Sequence, residues 1–126
     1  MVIHESAEDY LEAVLMLSEK NVAVRSIDVA AQLGFSKPSV SIAMKKLREN
    51  GYVVMDASGF IKLTESGRAI AESTYEKHKV ISKVLIAMGV PADIALQDAC
   101  RMEHTLSPQS FEAIKKYVTE QGLVLE

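Results

Sequence analysis

The chain has 126 residues, enough for one compact unit or two small ones sharing a core. Its 48% apolar and 25% charged content is that of an ordinary globular protein; no apolar run reaches the roughly 18 residues of a membrane span, the N-terminus lacks the pattern of a signal peptide, and one cysteine excludes an internal disulfide, all of which fits the cytoplasm. The net charge of −3 is unevenly spread: residues 34–68 carry six basic and three acidic residues, a basic island that is a candidate anion-facing surface.

Residues 6–19 read as a helix, with Ser6 as its cap and Glu8 and Asp9 in its first turn. Ala7, Tyr10, Leu11, Val14, Leu15 and Ser18 form one stripe at helical spacing, and Asp9 and Glu12 lie together beside it. Lys20-Asn21 ends this helix. The run "SIDVAAQLG" predicts a short second helix over 26–33, capped by Ser26, turned inward at Ile27, Ala30 and Ala31, and stopped by Gly34. Ser36 caps a third helix with Pro38 in its first turn, an inner stripe of Val40, Ala43, Met44 and Leu47, and Gly51 beyond its end. Two β-rich runs, 53–55 and 60–63, flank a hairpin turn at 56–59. A long helix follows from Glu65 to about Met88, opened by Thr64 and closed by Gly89. Another runs from 91 to about Thr105, and a last one starts at Ser107-Pro108 and ends at Gly122.

Helix, short helix, tight turn, capped helix and hairpin make the order of a winged helix-turn-helix. The capped helix presents Ser36, Lys37, Pro38, Ser39, Ser41 and Lys45 around its N-terminal end, where small hydroxyls can approach base edges and the helix terminus favours phosphate. Lys45, Lys46 and Arg48 can lie against a nucleic-acid backbone, and Lys62 sits in the hairpin wing.

A second constellation lies in "DACRMEH". Cys100, Glu103 and His104 are spaced i, i+3 and i+4, so one helical face carries a thiol, a carboxylate and an imidazole. His78 falls toward the apolar side of the long helix, where a histidine needs a partner. If three helices converge, Asp9, Glu12, His78, Cys100, Glu103 and His104 can meet around a cation that neutralises the acids.

The ordered segments "EDYLEAV", "SKPSVSIAMKKLRENGYV", "LTESGRAIAE", "EKHKVI" and "DACRMEHTLS" run through nearly the whole chain. In them the chain resembles the diphtheria-toxin-repressor/MntR family of metal-dependent transcriptional repressors. The resemblance implies a mainly α protein: a winged helix-turn-helix DNA-binding domain over 1–70 and a helical metal-binding and dimerisation domain over 71–126, in a short form without the SH3-like domain of longer members. It implies that Asp9 and Glu12 match acids of the manganese-responsive branch, whose iron-responsive counterpart has Met at the position of Asp9. His78, Glu103 and His104 match ligands of both branches, and Cys100 matches the iron branch, where the manganese branch has Glu. Ser82 and Leu96 stand where the iron branch has the Glu and His of an ancillary site, which is therefore expected to be absent or rebuilt.

The expected function is metal-dependent repression by a homodimer on an inverted-repeat double-stranded DNA operator, with Fe(II) or Mn(II) as corepressor. A thiolate leans the choice toward iron, and Co(II), Ni(II) or Zn(II) are expected to substitute. The residues taken to face a dimer partner are Ile81, Val84, Leu85, Met88, Ile94, Phe111 and Ile114. Two other readings compete. One is a winged-helix regulator answering to a non-metal ligand, in the manner of MarR-like repressors. The other is a thiol hydrolase using Cys100 and His104, which lacks an orienting third group and an oxyanion loop.

Overall fold

The structure, a computed structural model, describes residues 5–20 and 23–122, with only the backbone described at Glu5 and Ser6. The expected cap by the Ser6 side chain and the stop at Asn21 therefore lie outside the described residues. The described residues form α1 (Glu5–Lys20), α2 (Ser26–Leu33), α3 (Lys37–Glu49), β1 (Val53–Met55), β2 (Ile61–Leu63), α4 (Glu65–Ala87), α5 (Ala92–Met102) and α6 (Pro108–Glu120). The chain divides into two compact units, Met1–Ser73 and Thr74–Glu126, with the boundary inside α4.

In the first unit α1 is contacted by α2, α3 and β2. A helix touched on several sides needs apolar residues most of the way round, and α1 has them: Tyr10, Leu11, Ala13, Val14, Leu15 and Leu17 are all buried. The burial is thus wider than a single stripe. Ser18 departs from the expected inner stripe. It is exposed, and its hydroxyl donates to the Val14 carbonyl at 2.7 Å, which satisfies it locally.

Two expectations for α2 are corrected. Ser26 is its first helical residue, and Arg25 is the N-cap, whose backbone N–H donates to the Asp28 carboxylate at 2.9 Å. An anionic acceptor on the first turn also suits the helix dipole. The inward face is Val29 and Ala30, with Ser26 and Leu33 half-buried beside them. Ile27 and Ala31 lie a third of a turn away and are exposed. Gly34 stops the helix as expected, in the left-handed region at φ +73°.

The turn into α3 follows the sequence closely. Ser36 is the N-cap, its hydroxyl accepts the Ser39 N–H at 3.3 Å, and Pro38 stands in the first turn. Val40, Met44 and Leu47 are buried and Ala43 half-buried. The hairpin pairs Val53 with Leu63, Val54 with Lys62 and Met55 with Ile61, antiparallel. Its turn is organised by the Asp56 carboxylate, which accepts the N–H groups of Ser58 at 2.9 Å and Phe60 at 3.0 Å. That bond takes the Phe60 amide out of the ladder, so β2 begins at Ile61 rather than at Phe60. The Ile61 N–H donates to the Val24 carbonyl at 2.7 Å, and the Arg25 guanidinium lies 4.5 Å from the Phe60 ring centroid, which ties the wing to the segment before α2.

Thr64 opens α4. Its hydroxyl accepts the Gly67 N–H at 3.1 Å and donates to the Gly51 carbonyl at 2.7 Å. Gly67 is obligatory for another reason: a Cβ there would stand 1.9 Å from the Tyr52 carbonyl oxygen.

The second unit buries Val80, Ile81, Ala95, Ala99, Phe111 and Val118. The Lys115 ammonium on α6 donates to Glu76 Oε1 on α4, and this hydrogen bond and the carboxylate charge hold the Lys115 pKa above its ordinary value. Helix α4 ends at Ala87, one residue before the expected Met88, and Gly89 follows at φ +101°. Helix α5 ends at Met102, not near Thr105, and residues 103–105 form a turn. Pro108 opens α6 and holds Ser107 extended at φ −69° and ψ 157°, so the chain must leave the helix before it. Ile86, Met88, Ile94, Leu96, Met102 and Tyr117 are exposed in this unit. Of the residues expected to face a partner, Met88 and Ile94 are exposed, Val84, Leu85 and Ile114 half-buried, and Ile81 and Phe111 buried. The last two belong to the core of the unit.

Candidate metal centre and DNA-reading face

The second unit brings three sequence-selected residues together. Glu103 follows the last residue of α5, and its carboxylate lies between two imidazoles. Its Oε2 is 3.2 Å from His78 Nδ1 on α4, and its Oε1 is 3.4 Å from His104 Nε2 on the next residue. Glu103 is 2% exposed, the His104 side chain 3% and the His78 side chain 20%. A carboxylate withdrawn from water is costly unless it is paired. Two imidazoles stand at these distances and would pair with it as ions only when protonated; the same three groups are oxygen and nitrogen donors suited to a divalent transition metal.

The helical-face reading of Cys100, Glu103 and His104 needs correction. Cys100 lies on regular helix in α5 and is exposed, whereas Glu103 and His104 stand in the turn that follows, with buried side chains. Glu103 keeps a helical backbone at φ −58° and ψ −26°, so its i+3 relation to Cys100 survives; the bend comes after it. Cys100 is exposed and the carboxylate is buried, yet the Cys100 thiol and a Glu103 carboxylate oxygen come within 4.8 Å of one another. Asp9 and Glu12 belong to the first unit, on α1, where Asp9 is half-buried and Glu12 is 8% exposed. A buried acid at Glu12 on an otherwise apolar stretch is the more informative of the two, because glutamate is rarely buried without a charged or hydrogen-bonding partner. Ser82, at the position of the family's ancillary acid, is buried and its hydroxyl donates to the Lys79 carbonyl at 3.1 Å; Leu96 is exposed.

The first unit presents the other candidate surface. Ser36, Lys37, Pro38, Ser39, Ser41, Lys45 and Lys46 are all exposed on or beside α3, and Lys62 is exposed on the wing. They share the first unit, four of them are lysines, and the N-terminus of α3 adds its partial positive charge. The Ser36 hydroxyl donates to the Ser39 hydroxyl at 2.8 Å, so the two hydroxyls are held as one polar group at the helix start. Sequence reasoning passed over two residues here. Ile42 on α3 is 59% exposed, and Val54, across the wing from Lys62, is 52% exposed. The signal that could have found Ile42 is its absence from the inner stripe, since an aliphatic residue off that stripe must face outward.

Comparison with known proteins meets this geometry at both ends of the chain. Residues 3–59 match the family described as iron dependent repressor, N-terminal DNA binding domain, and residues 64–121 match iron dependent repressor, metal binding and dimerisation domain. The transcriptional regulator MntR of Escherichia coli is 31% identical over 118 residues, covering 94% of this chain and 76% of the relative. The iron-dependent repressor IdeR of Mycobacterium tuberculosis is 30% identical over 104 residues, covering 82% of this chain and 45% of the relative. Among solved structures, that of the manganese regulator SloR superposes with a TM-score of 0.80 at 31% identity, covering 94% of this chain and 55% of that one. The chain thus spans about half the length of that solved regulator. These matches do not favour the MarR-like alternative, and the thiol-hydrolase alternative has no counterpart among them, since the relatives named are regulators.

Proposed function

Because the chain belongs to the iron-dependent repressor family of metal-responsive transcriptional repressors, we propose that it binds operator DNA as a homodimer when Fe(II) or Mn(II) is bound. The observation that carries this reading is the buried Glu103 carboxylate set between His78 and His104 in the unit that matches the metal-binding and dimerisation domain. The proposed ligand set is Asp9, Glu12, His78, Cys100, Glu103 and His104, the last four from the second unit. A divalent cation supplies the positive charge that three carboxylates and a thiolate require in order to be held close. Cys100 in place of an oxygen donor favours Fe(II) over Mn(II), and Co(II), Ni(II) and Zn(II) satisfy the same donors. Operator contact is assigned to Ser36, Lys37, Pro38, Ser39, Ser41, Lys45, Lys46 and Lys62.

Asp9 and Glu12 lie on α1, which packs with α2 and α3. Engaging those two acids therefore bears on the placement of α3. Two recognition helices of a dimer must match half-sites about 34 Å apart, or a multiple of that, so their placement governs affinity. Moving a population from 1% to 99% competent takes about 5.5 kcal/mol of differential binding, which one well-coordinated ion provides. No helix among the described residues is long and apolar enough to cross a membrane, and the reading places the protein in the cytoplasm. The test is anaerobic titration with Fe(II) and Mn(II), then binding to duplexes selected from a random pool at fixed free metal. Tight binding that needs metal is expected. Equal DNA affinity with metal and with a chelator would remove the mechanism.

A further inference from the structure

The outward face of α3 holds one residue that neither the phosphate-binding lysines nor the cap accounts for. Val40, Met44 and Leu47 turn into the core, and at 100° per residue the point opposite them on the helix falls at Ile42. Ile42 is 59% exposed there, more than any other large apolar side chain among the described residues of the first unit. Its surroundings along the helix are polar: Ser39 and Ser41 precede it, and Lys45 and Lys46 follow, all exposed. A β-branched residue is a poor choice for an exposed helix position on propensity alone, where lysine, glutamine or glutamate would serve better. Isolated exposed apolar residues are ordinary on protein surfaces. This one differs in position, since it is the midpoint of a face otherwise composed for contact with a polyanion.

We infer that Ile42 is a specificity residue that reads a thymine in each operator half-site through its C5-methyl group. Isoleucine has no donor or acceptor, so it can form no hydrogen bond to a base edge. Among the groups that base pairs present in the major groove, only the thymine methyl is apolar. A helix that lays this face into the groove would desolvate Ile42 against whatever base lies beneath it. Thymine carries an O4 acceptor as the other bases carry theirs, but it alone adds a methyl group that Ile42 can cover; adenine, guanine and cytosine would set only polar groups against it. The lysines around it supply affinity without sequence, and Ile42 supplies discrimination at one position. This inference rests on the reading of α3 as the DNA-reading helix, and its test separates the two.

The experiment uses the full chain loaded with Mn(II). Duplexes are selected from a random pool, and the tightest is resynthesised with each thymine replaced singly by uracil, which removes only the methyl group. One thymine per half-site is expected to lose about fourfold in affinity on replacement, the order set by one buried methyl. In Ile42→Ala the same duplexes are expected to bind with thymine and uracil equal, and Ile42→Gln, selected afresh, is expected to prefer adenine at that position. Circular dichroism confirms that both variants fold, as a surface position allows. If no thymine-to-uracil change matters, or if the sensitivity persists in Ile42→Ala, the assignment of Ile42 is wrong while DNA binding stands. A pool from which no duplex is retained overturns the DNA-binding reading and this one with it.

Discussion

Glu103 faces His78 across the second unit at 3.2 Å, from a side chain almost wholly withdrawn from water. The pair joins α4 to the turn after α5, and His104 closes on the other carboxylate oxygen at 3.4 Å. Glu103→Gln keeps the shape and removes the charge. Affinity for Fe(II) and Mn(II) is expected to fall by at least the ten- to hundredfold typical of losing even an outer-shell partner, with the helical content unchanged. Isothermal titration beside circular dichroism measures both. Unaltered metal affinity would place the ion elsewhere.

In the proposed ligand set, Cys100 is the residue expected to set the choice of ion. It is exposed, its thiol lies within 4.8 Å of a Glu103 carboxylate oxygen, and it is the only soft donor in the proposed set. Replacing it by glutamate exchanges sulfur for oxygen. Cys100→Glu is expected to shift competition between Fe(II) and Mn(II) toward Mn(II), read from anaerobic titrations with both ions. An unmoved ratio would take the thiol out of the ligand set.

Ser36 has two duties that separate by substitution. Its hydroxyl caps α3 by accepting the Ser39 N–H, and it stands exposed on the face proposed to read DNA. Ser36→Ala is expected to cost about 1 kcal/mol in urea denaturation through the lost cap. Ser36→Asp keeps a capping acceptor and should hold stability, yet it sets a negative charge against phosphate and should weaken DNA binding. Retained DNA affinity in the aspartate variant would remove Ser36 from the interface.

Gly67 admits no side chain. Its missing Cβ is where the Tyr52 carbonyl oxygen lies, 1.9 Å from the ideal position, and the obstacle is backbone rather than a side chain able to turn away. Gly67→Ala is expected to destabilise the first unit by about 1–3 kcal/mol or more, seen as a lower urea midpoint. A midpoint equal to the parent's would mean that the start of α4 shifts freely against Tyr52.

The Lys115–Glu76 pair gives a pH signature. The Lys115 pKa is raised by its hydrogen bond to Glu76 and by that carboxylate's charge. A raised lysine contributes stability while it is protonated, at neutral pH, and loses it as pH rises through the raised pKa. Both side chains are about two-fifths exposed, at 41% and 43%, so the contribution stays within about 1 kcal/mol. Lys115→Met should be slightly less stable than the parent at pH 7, and the gap should close in strong alkali. A gap constant across that range would assign the effect to packing.

Much of the fold was legible because its signals are local. A serine before Lys37-Pro38, a carboxylate at the head of a four-residue turn and glycines after α2 and α4 act within a few residues of themselves, and the structure has each where the sequence puts it. The buried stripe of α3 was legible for the same reason, since its period belongs to one helix. The errors came where two local choices compete. Ser26 and the Arg25–Asp28 pair both offer a start for α2, and the stronger anionic acceptor prevails. The pattern of α2 alone could not say whether Ile27 or Val29 faces inward, because packing with α1 and α3 sets its rotation.

The chemistry of the site was written in the chain itself: which residues are acids, imidazoles and a thiol, and the order in which they fall. Their spacing did not settle burial. Whether Glu103 is solvated or enclosed, and whether it meets His78 twenty-five positions earlier, depended on where α5 stops and what α4 brings beside it. Those are long-range outcomes. A side chain's identity travels with the sequence, whereas its exposure and its partners exist only once distant segments have displaced the water between them.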